Sequence, residues 1–136
     1  MASIHREMKL AADAAQVWDA VRDVGALHTR LVPGFVVDCR MDGADARIVT
    51  FGNGVEAREV IVDLDEAARR IVWSAAGGKL AHHNASFQVF DEGAGKCRVV
   101  WIADLLPNEM APAIAGMIDA GMQAMKVKLE DAQGAR

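Results

Sequence analysis

Few side chains in this sequence combine a reactive type with informative spacing. Glu59 is the first of them. Ala57, Glu59 and Ile61 share one parity of a strand-like run, so a buried inner face would carry the carboxylate inward. There it would act as an acceptor or base whose pKa burial raises. The opposite register, with Arg58, Val60 and Val62 inward, would leave Glu59 in water. His82 and His83 are adjacent, so on a strand they point to opposite faces and cannot share a metal ion. Parity with Ala85, Phe87 and Val89 makes His83 the inward one. Trp73 shares parity with Ile71, and Trp101 with Val99 and Ala103, so both indoles are expected on the same apolar face, as core or as pocket wall with an N–H to offer. Cys39 and Cys97 belong to no Cys-x-x-Cys or Cys/His cluster and read as buried thiols, with no metal or cofactor expected. No Ser or Asp stands in a triad relation to any His, which leaves acyl transfer without support.

Composition narrows the chemistry further. The chain has 136 residues, of which 52% are hydrophobic, but Ala fills 25 positions and adds little transfer free energy. Aromatic residues make up 5% and Tyr is absent, so no phenol can serve as acid or donor. A net charge of -4, without any basic run, gives no footprint for nucleic acid. No stretch approaches the roughly 20 apolar residues needed to span a bilayer. The first ten residues carry Arg6, Glu7 and Lys9 where a signal peptide needs an apolar core, so a cytoplasmic location is expected. The length suits one domain, residues 1–136, that buries roughly two-thirds of its unfolded surface.

The elements that must position these side chains follow from hydrophobic period. Ile4 to Leu10 alternates as a strand. Asp13-Ala14-Ala15-Gln16 has the form of a capping box opening a helix whose apolar face is Val17, Trp18, Val21 and Val24, with Gly25 as its end. A short second helix from Ala26 to Leu31 is expected before Pro33-Gly34. Six strands then follow at 35–41, 46–51, 57–64, 70–75, 83–90 and 97–105, separated by short Gly- and Asp-rich turns that favour antiparallel neighbours. From about Pro112 to Ala132 the apolar residues return to helical spacing, with Ile114, Met117, Ile118, Gly121, Met122, Met125 and Leu129 on one side. The plan is α+β: a curved antiparallel sheet of seven strands with one long helix to cover it, and a cavity where the helix does not fill the concavity.

In that order and spacing the sequence resembles the superfamily of START-type and birch-pollen-allergen-type domains, also called the polyketide cyclase/dehydrase and lipid transport family, with the helix-grip fold. The likeness spans nearly the whole chain. It rests on Asp13 to Trp18, Arg58 to Asp65, Arg70 to Ser74, Val99 to Trp101 and the final helix. The resemblance implies a pocket for a largely apolar small molecule, with Glu59 aligned to a glutamate that can face it. His82 and His83 then begin the strand at the pocket entrance, and His28 lies on another rim element. Val37 stands where the hormone-receptor branch of the family has a lysine that reads a ligand carboxylate, so recognition of an acidic hormone is not implied.

The expected cavity wall comprises Val37, Met41, Glu59, Trp73, His83, Phe87, Trp101, Met117 and Met125, the methionines able to repack around different shapes. The leading expectation is a binding protein for a hydrophobic or amphipathic ligand. The alternative is a cyclase or dehydratase in which Glu59 or His83 moves protons on a bound substrate. A homodimer would leave no signal distinct from ordinary surface.

Overall fold

Alternating apolar and polar residues become a seven-stranded antiparallel sheet in the computed structural model, which describes residues 1–134, with side chains through Asp131. The strands are β1 (Ala2–Leu10), β2 (Val36–Met41), β3 (Ala46–Phe51), β4 (Glu56–Asp65), β5 (Arg70–Ser74), β6 (His82–Asp91) and β7 (Cys97–Leu106). Their spatial order is β1-β7-β6-β5-β4-β3-β2. Short turns thus join every neighbour from β2 to β7, and β1 adds to the β7 edge, from Ala2 opposite Leu105 to Leu10 opposite Cys97. A helix α1 (Ala14–Arg22) and one π turn (Leu27–Leu31) link β1 to β2. After a short turn at Asn108–Met110, the helix α2 (Ala111–Gly134) crosses the concave face.

Two bulges bend the sheet. On β2, Val36 pairs with Phe51 and Asp38 with Thr50, so Val37 is an extra residue. On β4, Ile61 pairs with Trp73 and Asp63 with Val72, which makes Val62 the extra one. Each insertion increases twist and reverses the in/out parity beyond it.

Two local expectations are corrected. Asp13 occupies the N-cap position of α1, yet its carboxylate makes no cap bond. Its Oδ1 instead accepts from the Gly95 N–H at 2.6 Å, tying the start of α1 to the β6–β7 turn. Gly25 does not end α1, which stops at Arg22; it lies against Met41, where an added Cβ would come within 3.3 Å of Met41 Cγ. The expected short second helix is present, as a five-residue π turn over Leu27–Leu31.

The core lies between the sheet and the helices. On β6 the inward residues His83, Ala85, Phe87 and Val89 are buried, and on β7 so are Cys97, Val99, Ala103 and Leu105. The helix α2 meets them through Ile118, Met122, Met125 and Leu129. Gly121 sets the distance of closest approach, because a Cβ there would stand 3.1 Å from both the Phe35 and the Trp101 rings. Cys39 and Cys97 are free and buried, and burial pushes the Cys97 thiol up to about 11. At pH 8 only about a thousandth of Cys97 is thiolate, so iodoacetamide is expected to label it only at the rate of unfolding. Labelling of the native protein within minutes would contradict this.

Candidate functional site

Between the sheet and the first half of α2 lies a cavity of about 670 Å³. Its wall is mostly apolar: Val49, Ile71, Trp73, Phe87, Trp101 and Met125 form the floor and sides. The rings pack edge to face, Trp73 on Trp101 at 5.8 Å and Phe87 on Trp101 at 6.1 Å between centroids. Such contacts fix ring orientation. The mouth opens between Phe51 and Val55 of the β3–β4 turn, Lys79 and Leu80 of the β5–β6 loop, and Met110 ahead of α2.

Seven of the nine residues expected at the cavity line it: Glu59, Trp73, His83, Phe87, Trp101, Met117 and Met125. Val37 and Met41 do not, and both assignments are corrected. Val37 is the bulged residue of β2 and is 54% exposed, while Val36 takes the inward position. Simple alternation fails there because the inserted residue shifts the parity. Met41 ends β2, 41% exposed, and covers Gly25 instead of the cavity. His28 lies outside the wall as well; its Nδ1 is shielded from solvent and has no hydrogen-bond partner.

Glu59 is buried as half of an ion pair. Arg47 of β3 stands directly across the ladder from it, and the guanidinium Nε donates to Glu59 Oε1 at 2.9 Å. Arg47 Nη1 donates to the Val24 carbonyl at 3.1 Å, and the guanidinium carbon lies 5.9 Å from the Trp73 ring centroid. Both side chains are nearly inaccessible, 4% and 11% exposed. Among the described residues the one shielded side-chain polar atom without a partner is His28 Nδ1, and the Arg47–Glu59 pair itself lines the cavity. Arg47 escaped the sequence reading. The signal was present in its shared parity with Val49 and Phe51, but an arginine on an apolar face reads as a solvated residue until its partner is known.

His83 lines the cavity and is held by its neighbours on one side. Its Nδ1 accepts from the Ala75 N–H at 3.0 Å, and its backbone carbonyl accepts from Ser74 Oγ at 2.6 Å. An acceptor at Nδ1 places the proton of the neutral ring on Nε2. Burial, and then the neighbouring His82, lower the His83 pKa below its ordinary 6.5. The folded state therefore binds this proton less readily than the unfolded chain does. The resulting stability is complete above about pH 6.5 and is lost as pH falls through the lower folded value. Urea denaturation between pH 7.5 and 5 should show a steeper loss for the wild type than for His83→Phe, and equal slopes would refute the assignment.

A curved antiparallel sheet gripping one long helix over an apolar cavity is the helix-grip architecture. The chain belongs to the polyketide cyclase/dehydrase and lipid transport family, whose profile matches residues 1–130. No curated protein matches the sequence. Among solved structures, one from Thermobifida fusca is similar at 30% identity, over 96% of this chain and 91% of that one, with a TM-score of 0.75. A START superfamily protein from Mycobacterium smegmatis shares the fold at 13% identity and TM-score 0.80, over 96% and 98% of the two chains. Norcoclaurine synthase from Thalictrum flavum shares it at 21% identity and TM-score 0.73, over 92% and 91%. No helix among the described residues is long and apolar enough to cross a membrane.

Proposed function

We propose that the protein binds an uncharged, hydrophobic or amphipathic small molecule in the cavity between sheet and α2. The observation that carries this reading is the cavity itself: about 670 Å³, walled by aromatic and aliphatic side chains, within the roughly 300–1,000 Å³ range of small-molecule sites. Among the described lining residues the buried Arg47 already faces the buried Glu59, and His83 is poised to be neutral, so a charge carried to the depth of the cavity would find no free countercharge there, Glu56, Arg58 and Lys79 lying at its exposed rim. Burial of apolar ligand surface supplies about 25 cal/mol per Å², with few polar atoms left to orient the ligand.

The alternative, a cyclase or dehydratase acting in the same cavity, is favoured by two titratable side chains, Glu59 and His83, on one wall. The likeness to norcoclaurine synthase is consistent with it at the level of fold. Binding is preferred because Glu59 is committed to Arg47 and separated from His83 by the intervening strand. The experiment is native mass spectrometry of protein purified from cells under mild conditions. A neutral organic adduct should be released on denaturation and be absent from the cavity-filling variant Met117→Trp. An adduct that persists unchanged in that variant, or apo mass alone for both proteins across several hosts, would overturn the proposal.

A further inference from the structure

The backbone ladder between β5 and β6 ends with Trp73 opposite Ala85, short of the cavity mouth. Past that point the seam continues through two side-chain bonds, both at His83. Ser74 Oγ donates to the His83 carbonyl at 2.6 Å, and the Ala75 N–H donates to His83 Nδ1 at 3.0 Å. Immediately after Ala75 the chain enters the loop that carries Lys79 and Leu80 to the mouth.

That loop is built to move as one piece. Gly77 and Leu80 exchange both backbone bonds, at 2.8 and 2.9 Å, which closes residues 77–80 into a small turn. Gly77 and Gly78 hold φ values of 131° and 57°, open to glycine and costly for other residues. At its far end the turn is tied to β7 by the Ala81 N–H, which donates to the Leu106 carbonyl at 2.9 Å. At its near end the tie is the Ala75–His83 bond, and this one is conditional. A backbone N–H can only donate, so Nδ1 receives it only while it carries no proton. An imidazolium would set one N–H against another.

The surroundings offer a protonated ring no free carboxylate. Arg47 and Glu59 are committed to each other, Glu56 and Arg58 belong to the exposed rim on β4, and Lys79 sits on the loop itself. His82, next on β6, points to the other face; β7 sets Leu105 opposite His83, and α2 lends the wall no titratable group. We infer that His83 is a proton-operated latch: its protonation breaks the Ala75 bond, frees the loop over residues 75–80 to swing from the mouth, and speeds exchange of whatever the cavity holds. Linkage sets the direction. Burial, and then His82, lower the pKa of the latched ring from 6.5, so the released loop binds the proton better and release grows as pH falls below that value. Movement of the loop goes beyond the proposed binding function; only the exchange rate rests on it.

Nitrogen-15 NMR of the wild-type protein, titrated from about pH 7.5 to 5 across the His83 transition, tests the latch directly. The Ala75 amide, the His83 ring and the amides of Gly77, Gly78 and Leu80 should shift with one shared midpoint. Stopped-flow release of N-phenyl-1-naphthylamine, an uncharged fluorescent probe, should quicken about tenfold over the same range, the size of effect that one lost hydrogen bond gives. His83→Asn sets a carboxamide oxygen where Nδ1 stands and has no proton to gain, so its loop amides and its release rate should stay flat. His83→Phe has no acceptor and should release the probe fast at every pH. Loop amides that stay fixed while the His83 ring titrates would overturn the latch, as would an equal pH dependence of release in wild type and His83→Asn. If the probe binds none of the three proteins, the binding reading fails and the shared midpoint alone decides the latch.

Discussion

Arg47→Met is expected to destabilise the fold by about 3 kcal/mol, the lower part of the range for removing one partner of a buried ion pair. The charge left behind is the reason. Glu59 loses the guanidinium that holds Oε1 at 2.9 Å and is left as a buried, uncompensated charge. The Val24 carbonyl loses its donor at the same time. The value sits low in the range because Glu59 lines the cavity, where water can approach. The double variant Arg47→Met/Glu59→Gln should recover more than half of the loss, since neither charge remains to be desolvated. Urea denaturation of wild type, both single variants and the double variant forms the cycle that measures this coupling. Additive single effects would show that the pair does not act as a unit.

Trp73→Ala should cost a comparable amount, about 3 kcal/mol or more. Trp73 is 7% exposed and sits where the sheet, the ion pair and the cavity meet. Truncation removes its edge contact with Trp101 and uncovers the guanidinium of Arg47, 5.9 Å from the ring. Because one side of the indole already borders open space, the new void merges with the existing one instead of forming a sealed hole. The cavity therefore enlarges, and probes the size of naphthalene should bind more weakly for want of contact. Trp73→Phe keeps an aromatic face and should lose less than half as much. Denaturation followed by circular dichroism measures both variants, and a loss below about 1 kcal/mol for Trp73→Ala would mean that the ring is not part of the packed core.

Most of the fold was legible along the chain. Six strands with short turns between them can only lie antiparallel in sequence order, and the apolar face of 114–129 has no other surface large enough to cover. Hence each strand lies within a residue or two of its expected range, and α2 runs from Ala111 to Gly134 where helical spacing begins at about Pro112. The misreadings cluster where one residue breaks a repeat. Val37 fails because a bulge inserts it, and no local feature of Phe35-Val36-Val37-Asp38 announces an insertion. Asp13 fails because a distant acceptor need, the Gly95 N–H, competes for its carboxylate. Gly25 reads as a helix terminator but serves as room for Met41.

The candidate site divides in the same way. Parity alone put His83, Phe87 and the two indoles on one face, because alternation in a strand is local stereochemistry that needs no partner; for Glu59 it left both registers open, and the family resemblance turned the carboxylate inward. Arg47 could not be placed by that logic. Whether a charged residue on an apolar face is a solvated end or a buried partner depends on the strand across from it, and cross-strand register is set by turns, bulges and the closing of the whole sheet. By itself the sequence determined the elements, their order and the faces they bury, all of which depend on neighbours a few residues away. Tertiary structure alone decided which buried charge meets which, and that pairing decides what the cavity can hold, because electrostatic compensation depends on distance in space and not along the chain.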